Sequence, residues 1–124
     1  MIHLVFAQTA GADPLKVGPF PAFRVEGELL RQSSGSPTIA RHSNHLWEVE
    51  GRQFFRLDCP GPLNVQFENA SGETSRSFGP FQHFSMADGI AYVDRNFFAS
   101  LAETTGHWYC ADIGDWPIMT VSAA

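Results

Sequence analysis

The sequence predicts a mainly β domain, an antiparallel β-barrel or β-sandwich of seven to nine strands with one short α-helix at about residues 95–104. Several short segments alternate apolar and polar residues, which is the pattern of strands with one wet face. Turn-forming pairs such as Glu50-Gly51 and Asp88-Gly89 separate these segments. Eleven Phe, three Trp and two Tyr provide enough aromatic area to fill most of a small core.

The composition indicates one globular domain spanning residues 1–124. Hydrophobic residues make up 44% and charged residues 17% of the chain, which excludes a disordered polymer. The low charged fraction indicates that some uncharged surface is buried in a ligand pocket, a homodimer or a protein partner. The formal net charge is −5 and the basic residues are scattered, which argues against binding to nucleic acid or an anionic membrane. No apolar run approaches the roughly 20 residues of a membrane span.

The first three segments are predicted from their local chemistry. Residues 1–10 lack the positive start of a signal peptide, so we expect a short first strand and, by default, a cytoplasmic protein. Residues 11–22 contain three Pro and two Gly and are predicted to form a loop. Residues 23–29 alternate apolar with charged side chains and are predicted to form a strand.

A hairpin is predicted around Glu50-Gly51, between strands at 38–50 and 52–58. A two-residue loop fixes the cross-strand partners. The partners expected from it are Val49 with Arg52, Trp47 with Phe54, and His45 with Arg56. The Trp47–Phe54 pair is worth up to about 1 kcal/mol beyond an alanine pair.

The segment after residue 58 contains further strands and turns. Cys59-Pro60-Gly61-Pro62 is expected to end the preceding strand. Residues 64–68 and 74–78 flank a turn at 69–72, and Gly79-Pro80 is expected to form a bend, a bulge or an edge before 81–86. Asp88-Gly89 then predicts a hairpin into 90–93.

The pattern changes period after residue 93. Asp94 is a good helix N-cap, and Phe97, Phe98, Leu101 and Ala102 fall on one helical face. Gly106 suits the end of a helix. These features predict the helix at 95–104, followed by strands at 107–112 and 117–122.

The segment Phe78-Gly79-Pro80-Phe81-Gln82-His83-Phe84 is the strongest candidate for a binding site. Aromatic side chains around a bend can line an apolar pocket with Gln82 or His83 as its polar group, although the pattern favours a place in the core for Phe78, Phe81 and Phe84. The leading hypothesis is a non-enzymatic domain that binds a small apolar ligand or a protein partner. The residues expected to bind are Trp47, Phe54, Phe81, His83, Phe84 and Trp108.

A rival hypothesis is a small hydrolase or isomerase using His45 and His83 with Arg56, near Cys59 or Asp88. A structural or assembly subunit is the third. The motif His42-x-x-His45 places its two rings on opposite faces of a strand, so no metal site and no cofactor are expected. Cys59 and Cys110 are expected to be free thiols, although the sequence leaves a disulfide open.

Overall fold

The computed structural model describes residues 1–8, 13–43 and 45–124, and it is mainly β, as the alternating segments predict. Within these ranges fourteen strands form one antiparallel sheet, which is not closed into a barrel. The strands are β1 (Ile2–Ala7), β2 (Leu15–Phe20), β3 (Ala22–Glu26), β4 (Leu29–Arg31), β5 (Thr38–Ser43), β6 (Leu46–Val49), β7 (Arg52–Phe54), β8 (Arg56–Glu68), β9 (Phe78–Ala87), β10 (Ile90–Val93), β11 (Asn96–Leu101), β12 (Trp108–Cys110), β13 (Gly114–Trp116) and β14 (Ile118–Ala123). The count exceeds the predicted seven to nine because several strands have only three or four residues.

The long strand β8 divides the sheet into two layers. Its first part pairs with β1, placing Leu57 opposite Phe6, and its second part pairs with β14, placing Val65 opposite Val121. We call β1, β2, β10–β13 and the adjoining parts of β8 and β9 the front layer. The back layer consists of β14 and β3–β7, in the order β14-β3-β4-β5-β6-β7.

The two layers pack through aromatic rings. Phe6 of the front layer meets Trp47 of the back layer edge to face, with ring centroids 6.0 Å apart. Phe23 of the back layer meets Phe84 of the front layer in the same way, also at 6.0 Å. Buried side chains alternate with more exposed ones along β1, β3, β10 and β14, so the core lies between the layers and the opposite face of the front layer is open to solvent.

The hairpin at Glu50-Gly51 is confirmed, with Val49 opposite Arg52 and Trp47 opposite Phe54. The third expected pair is wrong, because β7 ends at Phe54. His45 instead contacts the carboxylate of Asp88. The predicted Asp88-Gly89 hairpin is also confirmed, since Ala87 pairs with Ile90.

The predicted helix at 95–104 is wrong, because Asn96–Leu101 is strand β11. Asp94 does accept hydrogen bonds from backbone N–H groups, but these belong to Gln82 and His83 of the neighbouring strand, at 2.8 and 3.0 Å. The pairing of β10 with β11 shifts at Phe98, which breaks the period of two. The ring of Phe98 stacks on that of Phe67. The positions of Phe97, Phe98 and Leu101 in the sequence therefore resemble one face of a helix.

Two further predictions need correction. The predicted loop at 11–22 contains β2, whose Lys16 lies opposite Val5; residues 11 and 12 lie outside the described ranges. The segment 59–62 does not end a strand, because β8 continues through it with a shift of register. Gly61 allows this course, since a Cβ there would lie 2.9 Å from the carbonyl carbon of Gln82.

Among the described residues no helix is long and apolar enough to cross a membrane.

Candidate functional site

Four of the six predicted binding residues lie in the core. The side chains of Trp47, Phe54, Phe84 and Trp108 are at most 1% exposed. Phe81 is partly buried and packs on Phe98, with ring centroids 5.9 Å apart. The structure therefore distributes these rings along the interior instead of gathering them around one opening. Their predicted role in ligand binding stays a prediction.

His83 points away from these rings, because it lies on the outer side of β9. There it lines an open cleft of about 680 Å³ on the solvent face of the front layer. We call this cleft the outer-face cleft. Its lining consists of Arg56, Asp58, His83, Ser85, Ala87, Tyr92 and Arg95.

The register of three strands creates the cleft. Ser85 of β9 lies opposite Asp58 on one side and opposite Tyr92 on the other, while Ala87 lies opposite Arg56. Residues two apart in a strand share a face, so these side chains all project outward. Because Ser85 and Ala87 are short and their neighbours are long, the sheet surface is concave here.

A carboxylate connects the two basic groups on one side of the cleft. Arg56 donates from Nε to Oδ2 of Asp58 over 2.7 Å. Nε2 of His83 lies 3.2 Å from Oδ1 of the same carboxylate. The side chain of Asp58 is only 18% exposed, so this contact is partly shielded from solvent. The arrangement restrains Arg56 and His83 beside an open polar surface.

Arg95 stands at the far side of the cleft, in the two-residue turn between β10 and β11. Asp94 and Arg95 both have positive φ angles, 48° and 68°. The two hydrogen bonds that Asp94 accepts from Gln82 and His83 fasten this turn to β9. A guanidinium is thus held near the cleft by a defined turn rather than by a long loop.

A second polar cleft, of about 360 Å³, is lined by both His42 and His45. The expectation that His42 and His45 face opposite sides is wrong, because β5 ends at Ser43 and both rings line this one cleft. Burial, followed by the nearby His45, lowers the pKa of His42 below its ordinary value. His45 contacts Asp88 at the rim. Within the described ranges no group of three or more His, Cys, Asp or Glu side chains is arranged to hold a metal ion.

The two histidines of the rival enzyme hypothesis occupy different clefts. His45 contacts Asp88, and His83 lies five residues before Asp88 along the chain. At about 3.3 Å per residue, the strand separates these positions by roughly 17 Å. The structure therefore brings His83 together with Arg56, as the hypothesis requires, but does not bring His45 to them.

The cysteines are both buried free thiols, as the sequence predicts. Burial raises the pKa of Cys59 to about 12. Burial is also the largest cause that raises the pKa of Cys110. Since the thiolate is the nucleophilic form, Cys59 is unsuited to nucleophilic chemistry near neutral pH.

Sequence reasoning missed Asp58, Ser85, Tyr92 and Arg95 as members of one site. A usable signal was present in the turns, because the loops Glu50-Gly51 and Asp88-Gly89 carry Gly at the second position, whereas Asp94-Arg95 carries Arg95 there. No protein-family model matches this chain, no curated protein matches its sequence, and no solved structure matches its fold.

Proposed function

We propose that this protein is a non-enzymatic binding domain whose ligand occupies the outer-face cleft. The observation that carries the proposal is the concave surface formed by Ser85 and Ala87 between longer polar and aromatic side chains. A volume of about 680 Å³ falls within the range of roughly 300–1,000 Å³ that is typical of small-molecule sites. Such sites usually combine apolar contact area with a few oriented polar groups.

Aromatic side chains also border the outer-face cleft, although they are not the ones that the sequence predicts to bind. Tyr92 lines the cleft, and Phe97 lies directly opposite Tyr92 on the adjacent strand. Phe97 is 59% exposed, so it gives a ligand an apolar surface beside the polar cleft. The interior is a poorer candidate because its largest rings pack against one another.

The experiment is a screen of small aromatic fragments, mapped by ¹H–¹⁵N chemical shifts. We expect binders to move the amide signals of Asp58, His83, Ser85 and Tyr92. The substitution Ser85→Trp fills the floor of the cleft and should abolish these shifts. Ser100→Trp is the matched control, because Ser100 lies opposite Ile90 and outside the cleft lining. The proposal would be contradicted by fragments that still bind the Ser85→Trp variant, or by a screen in which no fragment binds at the cleft.

A second candidate function is general acid–base catalysis in the same cleft. The observation that favours it is the contact between His83 and Asp58, because an imidazole beside a carboxylate is a common acid–base arrangement. An enzyme of this kind would lose turnover in His83→Gln while retaining ligand binding. A pure binding domain shows no turnover of hydrolase or isomerase substrates in either form.

A further inference from the structure

We infer that the ligand of the outer-face cleft is a small organic oxyanion, a carboxylate or phosphate attached to an apolar body. This inference rests on the proposed function and specifies the chemistry of its ligand. Arg56 and Arg95 bind the oxyanion, and Tyr92 and Phe97 contact the apolar body. Four observations support the assignment.

The first observation is the backbone conformation of Arg95. The loops Glu50-Gly51, Asp88-Gly89 and Asp94-Arg95 all join two strands through two residues with positive φ. This turn type strongly favours Gly at its second position, because a Cβ disfavours the left-handed region. Arg95 occupies that position with φ 68°. His45 has the same φ of 68° in the loop between β5 and β6, so the backbone conformation alone does not distinguish Arg95; Arg95 combines this conformation with a place in the lining of the outer-face cleft.

The second observation is the way the turn is held. The carboxylate of Asp94 accepts hydrogen bonds from two successive amides of β9, those of Gln82 and His83. In return, the backbone N–H of Asp94 donates to the carbonyl oxygen of His83 over 2.9 Å. These bonds hold the backbone of the turn, including that of Arg95, against β9, so binding costs less freedom than it would on a mobile loop.

The third observation is the charge of the lining. Arg56 uses Nε to bind Asp58, which leaves the four N–H groups on its terminal nitrogens available. Two guanidinium groups and one carboxylate give the lining a formal charge of +1 with His83 neutral, in a chain whose formal net charge is −5. Planar guanidinium groups match carboxylate and phosphate oxygens in pairs. The lining itself is therefore positive on an acidic protein, and the adjacent carboxylate of Asp94 is occupied by two backbone amides.

The fourth observation is the position of the exposed aromatics. Phe97, Tyr92 and Ser85 lie in one row across three strands, because each is the register partner of the next. The row runs from the apolar side chain of Phe97 to the polar floor of the cleft. A ligand with an anionic end and an apolar body matches this order of surfaces.

The test compares benzoate, phenyl phosphate and benzamide by NMR titration against the 124-residue chain. Benzamide has nearly the shape of benzoate but carries no charge. We expect benzoate or phenyl phosphate to bind at the cleft at least tenfold more tightly than benzamide, and the tighter of the two anions distinguishes a carboxylate ligand from a phosphate ligand. Arg95→Asn retains a residue that tolerates positive φ, and we expect it to weaken anion binding at least tenfold. Arg95→Lys should retain part of the affinity, and Arg41→Gln, an exposed arginine outside the cleft lining, should retain all of it.

The variant Arg95→Gly provides an independent readout. We expect it to raise the melting temperature by about 3–5 °C while anion binding falls, because Gly relieves the turn. Equal binding of benzoate and benzamide at the cleft would overturn the oxyanion inference and leave the proposed function standing. Unchanged anion affinity in Arg95→Asn would also overturn the inference. Absence of any fragment from the cleft would overturn both.

Discussion

The substitution Phe84→Ala distinguishes an aromatic core from an aromatic pocket. Phe84 is fully buried on the inner side of β9, opposite Cys59 and Val93, and its ring meets that of Phe23 at 6.0 Å. If these rings hold the two layers together, removing one must destabilise the fold. If they line a space kept open for a ligand, the loss is small.

The magnitude follows from the packing of this ring. Burying a Phe side chain contributes about 1.5–3 kcal/mol, and an edge-to-face aromatic pair adds about 0.5–1.5 kcal/mol. The cavity left behind brings the expected loss to about 3–5 kcal/mol, the usual cost of Phe→Ala in a core. Domains of this size are stable by about 5–15 kcal/mol, so the variant should be clearly weakened.

Unfolding in guanidinium chloride, followed by tryptophan fluorescence, measures the effect. Trp47 and Trp108 are fully buried and therefore report the loss of the core. Tyr92→Ala is the control, because Tyr92 lies on β10 with its side chain on the outer face, and we expect it to cost less than about 1 kcal/mol. A loss below about 1 kcal/mol for Phe84→Ala, or equal losses for both variants, would refute the packed-core interpretation.

Three further predictions concern Ser75, Cys59 and His42. Ser75 accepts a hydrogen bond from the Phe67 amide at 2.9 Å, so Ser75→Ala should lower the free energy of unfolding by about 1–3 kcal/mol; an unchanged denaturation midpoint contradicts this. With a pKa of about 12, roughly one Cys59 in ten thousand is a thiolate at pH 8, so a disulfide reagent should label it only after unfolding, and rapid native labelling located by mass spectrometry is the opposing result. The pKa of His42 is lowered in the folded protein, so the unfolded chain binds a proton more readily below about pH 6.5, and stability is lost as pH falls through this range. Between pH 7 and pH 5, His42→Gln should therefore lose less stability than the parent protein, and equal losses would argue against this role of His42.

The parts of the fold that local chemistry determines could be predicted from the sequence. Glu50-Gly51 and Asp88-Gly89 identify their hairpins because their turn type restricts residue choice. The helix prediction failed because Asp94 caps amides of an adjacent strand, and the sequence does not show which strand is adjacent. The bulge at Phe98 then disguised the alternation of β11.

The outer-face cleft could not be predicted, because its residues meet only through the pairing of β8, β9 and β10. Asp58 and Tyr92 are far apart in the chain and become neighbours of Ser85 through two separate registers. The sequence identifies Trp47 and Phe84 as candidates for a binding site, because large aromatic rings are expected either in a core or in a pocket. Their alternation is the same in both cases, so only the observed contacts between the layers place them in the core.

Intermolecular nuclear Overhauser effects between bound benzoate and the protein test the central claim most directly. The claim is that a ligand binds outside the aromatic interior, on the open face of the front layer. It predicts contacts from the benzoate ring protons to the ring of Tyr92. Contacts to the rings of Phe84 or Trp47 would place the ligand inside the domain and contradict the claim.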